Sequence, residues 1–228
     1  MIKTRLTVAA LLIVLAPSCA QRLTKKNMSQ LNSLSIPAAT QHAKAYQDPQ
    51  SMTAGSAGAL GFASGLTLGL AGIVVAGAGA AIKQASFEGK YKSEVEAIKG
   101  ETPKDVGPMV TTELQTQLSS DPFFGPALKA GGNGGKIELE VRVLTLTKNT
   151  DKTHTPAISV MGKVAGPTGN RLLPLMAFGN GEKLPGCRAS LKTYATTPGL
   201  LRAHYQQVAK VTATALADLL KKQAAQAK

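Results

Sequence analysis

Hydrophobic side chains recur every three to four residues in two stretches after residue 85, and this spacing predicts amphipathic helices. In the first stretch the recurring residues are Phe87, Tyr91, Val95 and Ile98. In the second they are Val106, Val110, Leu114 and Leu118, an unbroken i, i+4 series. Because proline fits only the first turn of a helix, Pro108 predicts that the second helix begins close to it. Such stripes are typical of helix faces that pack in a core.

Apolar and polar residues alternate between residues 136 and 178, and this period of two predicts three β-strands. The strands run through KIELEVRVLTLT (136–147), TPAISVMGKVAG (155–166) and RLLPLMAF (171–178). The turn sequence PTGN (167–170) joins the last two into a predicted hairpin. The chain is therefore expected to have an α+β fold, in which an antiparallel sheet of three or more strands packs with amphipathic helices.

A long helix is predicted near the C-terminus, after a stretch (180–196) whose glycine, proline and lysine content is typical of a loop. Thr197 and Pro198 have the residue types of an N-cap and a first-turn proline. The predicted buried face of this helix carries Leu201, Tyr205, Val208, Thr212, Ala215 and Leu219. The α/β domain is expected to span residues 85–222, followed by a short tail (223–228).

Residues 51–84 contain a segment rich in glycine and alanine, with no charge between residues 60 and 82. Small residues recur there at multiples of four positions, namely Ala57, Gly61, Gly65, Gly69, Gly77 and Ala81. On a helix they share one side, which lets another backbone approach closely, and we call this pattern the glycine zipper. A helix over residues 60–82 would be about 34 Å long, enough to cross a hydrocarbon core. Two interpretations stay open: a membrane span, and a helix or hairpin packed within the protein or against sister subunits.

The first residues have the layout of a secretory signal peptide, with Lys3 and Arg5 before the apolar run 6–16. That run ends in LAPSC, which resembles the lipobox of bacterial lipoproteins. The resemblance implies a signal peptide over residues 1–18 and a lipid on Cys19. The residues that follow, 19–50, are polar around one apolar patch, LNSLSIPAA, and suit a tether that can end in a short strand. The alternative is an ordinary signal peptide cut nearby. Because Ala20 and Gln21 follow the cysteine and neither is Asp, the resemblance implies the outer membrane as destination.

The chain has 26 Lys and Arg against 13 Asp and Glu, a formal net charge of +13. Removal of Lys3 and Arg5 with the signal peptide leaves 24 against 13, or +11. Exported proteins rarely meet nucleic acid, so nucleic acid is not an expected partner. The charge instead fits anionic phospholipid, a cell-wall polymer or an acidic envelope protein, unless it is only a solvated surface.

Candidate catalytic chemistry is sparse. Cys187 would need a base beside it to act as a nucleophile, and the histidines, His42, His154 and His204, are far apart in sequence. We therefore interpret Cys187 as a free or intermolecularly paired thiol. Glu138 and Glu140 share one face of a strand, a spacing that a carboxylate pair uses, but a solvated face is the simpler interpretation. No metal is expected, since no pair of Cys or His has a ligand spacing, and no cofactor is expected, since the glycines of GGNGGK (131–136) lack the context of a phosphate loop.

The order of elements is similar to that of a group of bacterial envelope lipoproteins. A glycine-rich helix, an amphipathic helix, the strand IELEVRVLTL, the hairpin ISVMGKVAGPTGNRLL and the helix LLRAHYQQVAKVTATALADLLKK follow one another. The group includes the curli-secretion lipoprotein and the lipoprotein that activates penicillin-binding proteins. The resemblance implies an antiparallel sheet covered by helices, and no catalytic residue.

Two functional expectations follow. The first is a non-enzymatic binding or assembly module, lipid-anchored in the outer membrane and facing the periplasm, whose partner is an envelope protein or a cell-wall polymer. The alternative is a membrane-inserting protein that self-associates through its glycine zipper into a homo-oligomer or pore.

Overall fold

The computed structural model describes residues 22–41, 91–130, 132, 134–149 and 151–227, without the side chain of Lys183. The predicted signal peptide, Cys19 and the glycine zipper lie outside these residues. The described helices are α1 (Lys25–Ser29), α2 (Lys92–Glu101), α3 (Val106–Ser119), α4 (Phe124–Ala130), α5 (Leu191–Thr196) and α6 (Leu200–Gln226). The strands are β1 (Thr40–Gln41), β2 (Lys136–Lys148), β3 (His154–Ala165) and β4 (Arg171–Asn180), and a 3₁₀ turn covers Gly181–Lys183. None of the helices in these ranges has the length and apolar character of a membrane span.

The described strands form one sheet in the order β1-β2-β3-β4. The pairs β2–β3 and β3–β4 are antiparallel, which confirms the predicted hairpin. The sheet is mixed, however, because β1 lies parallel to β2. The prediction of a wholly antiparallel sheet is therefore wrong at this edge. A parallel pair needs a long crossover, and the chain between β1 and β2 supplies one.

One face of the sheet, which we call the inner face, packs against α3 and α6. The predicted stripe of α3, Val106, Val110, Leu114 and Leu118, is fully buried there. At Gly179 the sheet approaches α6 so closely that an added Cβ would overlap Thr212 and touch the carbonyl oxygen of Val208. Gly179 thus sets the distance between the sheet and α6.

Elsewhere in the sheet, a bulge between Val141 and Val143 shifts the register of β2.

The N-terminal described segment, residues 22–41, packs between the edge of β2 and α3. Leu31, Leu34 and Ile36 are buried in the core. The hydroxyl oxygen of Thr111 accepts a hydrogen bond from the backbone nitrogen of Ala39 at 3.0 Å. This part of the range predicted as a tether (19–50) differs from a solvated linker, because its apolar residues complete the core.

The C-terminal region differs from the prediction in two respects. Helix α6 begins at Leu200 rather than near Pro198, because Gly199 has a φ of 77° and so interrupts the helix. Thr197 instead closes α5, where its N–H donates to the carbonyl of Thr193. Toward the end of α6, Ala215 is exposed and Leu219 is half-buried, whereas the adjacent Leu216 and Leu220 are buried. The predicted face is thus wrong at Ala215, since the buried side follows an i, i+4 row beyond Thr212.

Candidate binding surface

The face of the sheet opposite α3 and α6, which we call the outer face, exposes large apolar side chains on β4. Met176 is 42% exposed and Phe178 is 49% exposed, whereas the alternating Leu175 and Ala177 are buried. The register brings Met161 of β3 directly opposite Met176. Alternation places all three outward-facing side chains on the same face. Large apolar groups at such exposure are typical of contact surfaces.

An open groove of about 850 Å³ extends from β1 to β4, and its lining includes outward-facing residues of the sheet and Leu219 of α6. Met161, Met176 and Pro174 provide apolar lining, and Pro37, Ala38 and Thr40 border the β1 end. Methionine side chains are flexible and polarisable, so they adapt to partners of different shapes. The groove is therefore suited to an apolar segment rather than to one rigid small molecule.

Charged pairs flank this apolar lining. The Glu138 carboxylate lies 3.1 Å from the Lys163 ammonium across the β2–β3 pair. The Glu140 carboxylate lies 2.7 Å from the Arg142 guanidinium. Each carboxylate thus has a cation beside it, which favours the interpretation of a charged sheet face over that of a catalytic acid–base pair. Arg171 also lines the groove, at the beginning of β4.

Strand β4 is an edge of the sheet, since within the described residues it pairs with β3 alone. Pro174 lies within this strand, and proline is tolerated in strands mainly at edges, where no ladder hydrogen bond needs its missing N–H. An edge strand presents backbone donors and acceptors to another extended chain. Met176 and Phe178 would lie beside any strand added there.

Cys187 lies in a buried corner of the structure, and no ionised base lies against its thiol among the described side chains. Its side chain is 0% exposed, and its thiol donates to the carbonyl oxygen of His204 at 3.7 Å. Burial raises the pKa of the Cys187 thiol to about 11, so the thiol is neutral at physiological pH. Within the described residues, which exclude Cys19, Cys187 forms no disulfide, as the sequence interpretation allowed. His204 is next to it, but through its backbone rather than its ring.

The same corner contains groups that sequence reasoning missed. The ring nitrogen Nδ1 of His204 lies 2.8 Å from the hydroxyl of Tyr194, which also donates to the carbonyl of His154 at 3.2 Å. Tyr194 belongs to α5, in a region predicted as a loop. The available signal was Ser190, whose hydroxyl accepts from the N–H of Thr193 and caps this helix. His42 lies outside the described residues.

The glycines before β2 have a packing role. The Ser33 hydroxyl accepts from the N–H of Gly134 at 2.9 Å, and a Cβ on Gly135 would overlap Leu31. The described glycines of GGNGGK therefore seat the N-terminal segment against the sheet. Across the described ranges, no group of three or more His, Cys, Asp or Glu side chains is placed to hold a metal ion.

Comparison of the chain with protein-family models, with curated proteins and with solved structures finds no match.

Proposed function

We propose that this protein is a non-enzymatic binding or assembly module of the bacterial cell envelope, held at the outer membrane by a lipid on Cys19 and facing the periplasm. Its partner is an envelope protein, which adds an extended segment along β4. The observation that carries the proposal is the exposure of Met176 and Phe178 on an edge strand. A peptide strand satisfies the backbone of the edge and covers both side chains at once.

A protein partner fits this surface better than a cell-wall polymer does. The lining of the groove is mainly apolar at Met161, Pro174 and Met176. A glycan strand offers mostly hydroxyl groups, whose burial against thioether side chains costs free energy because they lose their hydrogen bonds to water. Arg171 at the beginning of β4 supplies a site for an acidic residue of the added segment.

Photo-crosslinking in the native host tests this proposal. A photoreactive phenylalanine analogue replaces Phe178 in the full-length chain, and a matched variant carries it at Gln206, which is exposed on α6. We expect a discrete protein adduct from position 178 that position 206 does not form. Met176→Ser, introduced beside the probe, should weaken that adduct. Equal adducts from both positions, or none from 178, would contradict the proposal.

The glycine zipper supports a second candidate, a self-associating membrane protein, because Gly61, Gly65 and Gly69 repeat every four residues. Replacement of Cys19 by Ala behind an ordinary cleavable signal peptide separates the two candidates. If the variant is released by an alkaline carbonate wash, the lipid is the only anchor. If it stays in the membrane, the zipper inserts, and Gly65→Leu with Gly69→Leu should then abolish large oligomers.

A further inference from the structure

A buried corner joins the beginning of β3 to residues 184–196, which we call the corner segment. His154 and Ala189 exchange two backbone hydrogen bonds, at 2.7 and 3.0 Å. The hydroxyl of Tyr194 reaches the carbonyl of His154, and the thiol of Cys187 reaches the carbonyl of His204. These few polar contacts hold the corner segment between β3 and α6.

The imidazole of His154 is the unusual group in this corner. The residue is 4% exposed, and among the described residues neither Nδ1 nor Nε2 of its ring has a hydrogen-bond partner. Buried polar groups are nearly always paired, so an imidazole with two unpaired nitrogens is a costly feature. The site tolerates the ring of His154 in its neutral form. A protonated ring would bury a charge with two unmatched donors, at a much larger cost.

The surroundings of His154 do not compensate a positive charge. Lys148 faces it across the β2–β3 pair and opposes protonation. Asp151 favours protonation of His154, but the guanidinium of Arg188 in the corner segment lies 3.6 Å from the Asp151 carboxylate and offsets part of its negative charge. The other titratable side chains of the corner, Cys187, Tyr194 and His204, are buried. Burial first, and Lys148 second, therefore lower the pKa of His154 to about 4.

We propose that protonation of His154 releases the corner segment from β3, so that this corner is an acid-sensitive latch. Opening lets the imidazole reach water and breaks the paired hydrogen bonds to Ala189. The effect is local because the corner segment lies at the end of the sheet. The core beneath α3 and α6 is formed mainly by apolar side chains, which acid does not charge. His154 does not line the groove, so the latch is independent of the proposed binding surface.

The sign follows from linkage. The pKa of His154 is about 4 in the closed corner against 6.5 for an exposed imidazole. The closed form is favoured fully above pH 6.5 and loses stability as the pH falls from 6.5 toward 4. Between pH 7 and pH 5 the open population should rise about twentyfold.

Cys187 provides a built-in reporter of this opening, because it is buried in the corner and is the second of two cysteines in the chain. The Cys19→Ala variant is labelled with 4,4′-dithiodipyridine, which reacts at acidic pH. Each labelling rate is divided by that of a short cysteine peptide at the same pH. The normalised rate for Cys187 should be about twentyfold higher at pH 5 than at pH 7. Far-UV circular dichroism should stay native across this range.

His154→Phe fills the same site without a titratable group, and we expect it to remove the pH dependence of labelling. His154→Gln provides a second non-titrating variant should the larger ring disturb packing. The proposal is overturned if labelling does not change with pH, if either folded variant keeps the pH dependence, or if helicity is lost together with the protection of Cys187.

Discussion

The side chain of Gln41 binds the first turn of α3, with its Oε1 atom 3.0 Å from the backbone nitrogen of Val106. The same amide donates from Nε2 to the carbonyl of Pro103 at 3.1 Å. Asp105, the residue before α3, makes no side-chain cap to that helix. A residue from β1 therefore caps a helix that follows it by more than sixty positions, and so joins the N-terminal segment to the core.

Replacing Gln41 by Ala should lower the free energy of unfolding by about 1–2 kcal/mol, the usual cost of a lost helix cap. The loss leaves the N–H of Val106 and the carbonyl of Pro103 without their side-chain partner. Urea denaturation of the full chain measures this difference. Gln206→Ala, at an exposed site on α6, is the control and should change stability by less than about 0.5 kcal/mol. Equal effects of the two substitutions would argue against the cap.

Two glycine-to-alanine substitutions should have opposite effects. At Gly179 a Cβ would overlap Thr212 of α6, so Gly179→Ala should destabilise the fold by about 1–3 kcal/mol. At Gly100, inside α2, a Cβ would meet nothing within 4 Å, and Ala should stabilise the helix by about 0.5–1 kcal/mol. Thermal unfolding of both variants gives the signs. Thr212→Ala should recover part of the loss at Gly179, and no recovery would mean that another contact limits the approach.

The neighbours Leu175 and Met176 should respond very differently to truncation. Leu175 is 2% exposed on the inner face, so Leu175→Ala should cost about 2–5 kcal/mol. Met176 points outward, and Met176→Ala should change stability by less than about 1 kcal/mol. Chemical denaturation measures both. A large loss at Met176 would indicate that this side chain supports the fold rather than a contact surface.

The surface pair of Asp105 and Arg202 predicts a small acid dependence. The two side chains share two hydrogen bonds, one of them 2.8 Å long, and the guanidinium lowers the pKa of Asp105 below 3.8. The pair therefore stabilises the fold above the unfolded pKa, and this contribution is lost as the pH falls through the folded value. Both side chains are nearly half exposed, so Asp105→Asn should cost at most about 1 kcal/mol at pH 7.

Denaturation at pH 7 and pH 3 tests this expectation, because the difference between the wild type and Asp105→Asn should shrink at the lower pH. Glu96→Gln removes one partner of another exposed ion pair, that with Lys99, and serves as the reference. A constant difference at both pH values would contradict a role for ionised Asp105.

The sequence predicted the elements whose burial repeats over several turns or strand residues. The stripe from Val106 to Leu118 and the alternation from Ile137 to Val141 each involve many positions, so one face is unambiguous. By contrast, β1 has two residues and therefore no measurable period. Its place beside Glu140 depends on contacts with β2 and α3, which local spacing cannot express.

The candidate surface was only partly predictable. Alternation placed Glu138 and Glu140 on a common face, but the Glu138–Lys163 salt bridge depends on the register with β3, which places Lys163 opposite Glu138. The exposure of Met176 and Phe178 depends on which face the helices cover. In the corner, the Tyr194 hydroxyl contacts the carbonyl of His154 and the ring of His204, and neither histidine has a local motif that marks this arrangement.

The pairing of Thr40 with Glu140 also has a kinetic consequence. This contact spans about 100 residues of chain, whereas the β3–β4 hairpin closes across a turn of a few residues. Contacts between distant positions form slowly, since much of the intervening chain must first be ordered. The hairpin should therefore fold early and the N-terminal segment should dock last. Until it does, the edge of β2 stays open. The segment that is synthesised first is therefore the last one to join the folded sheet.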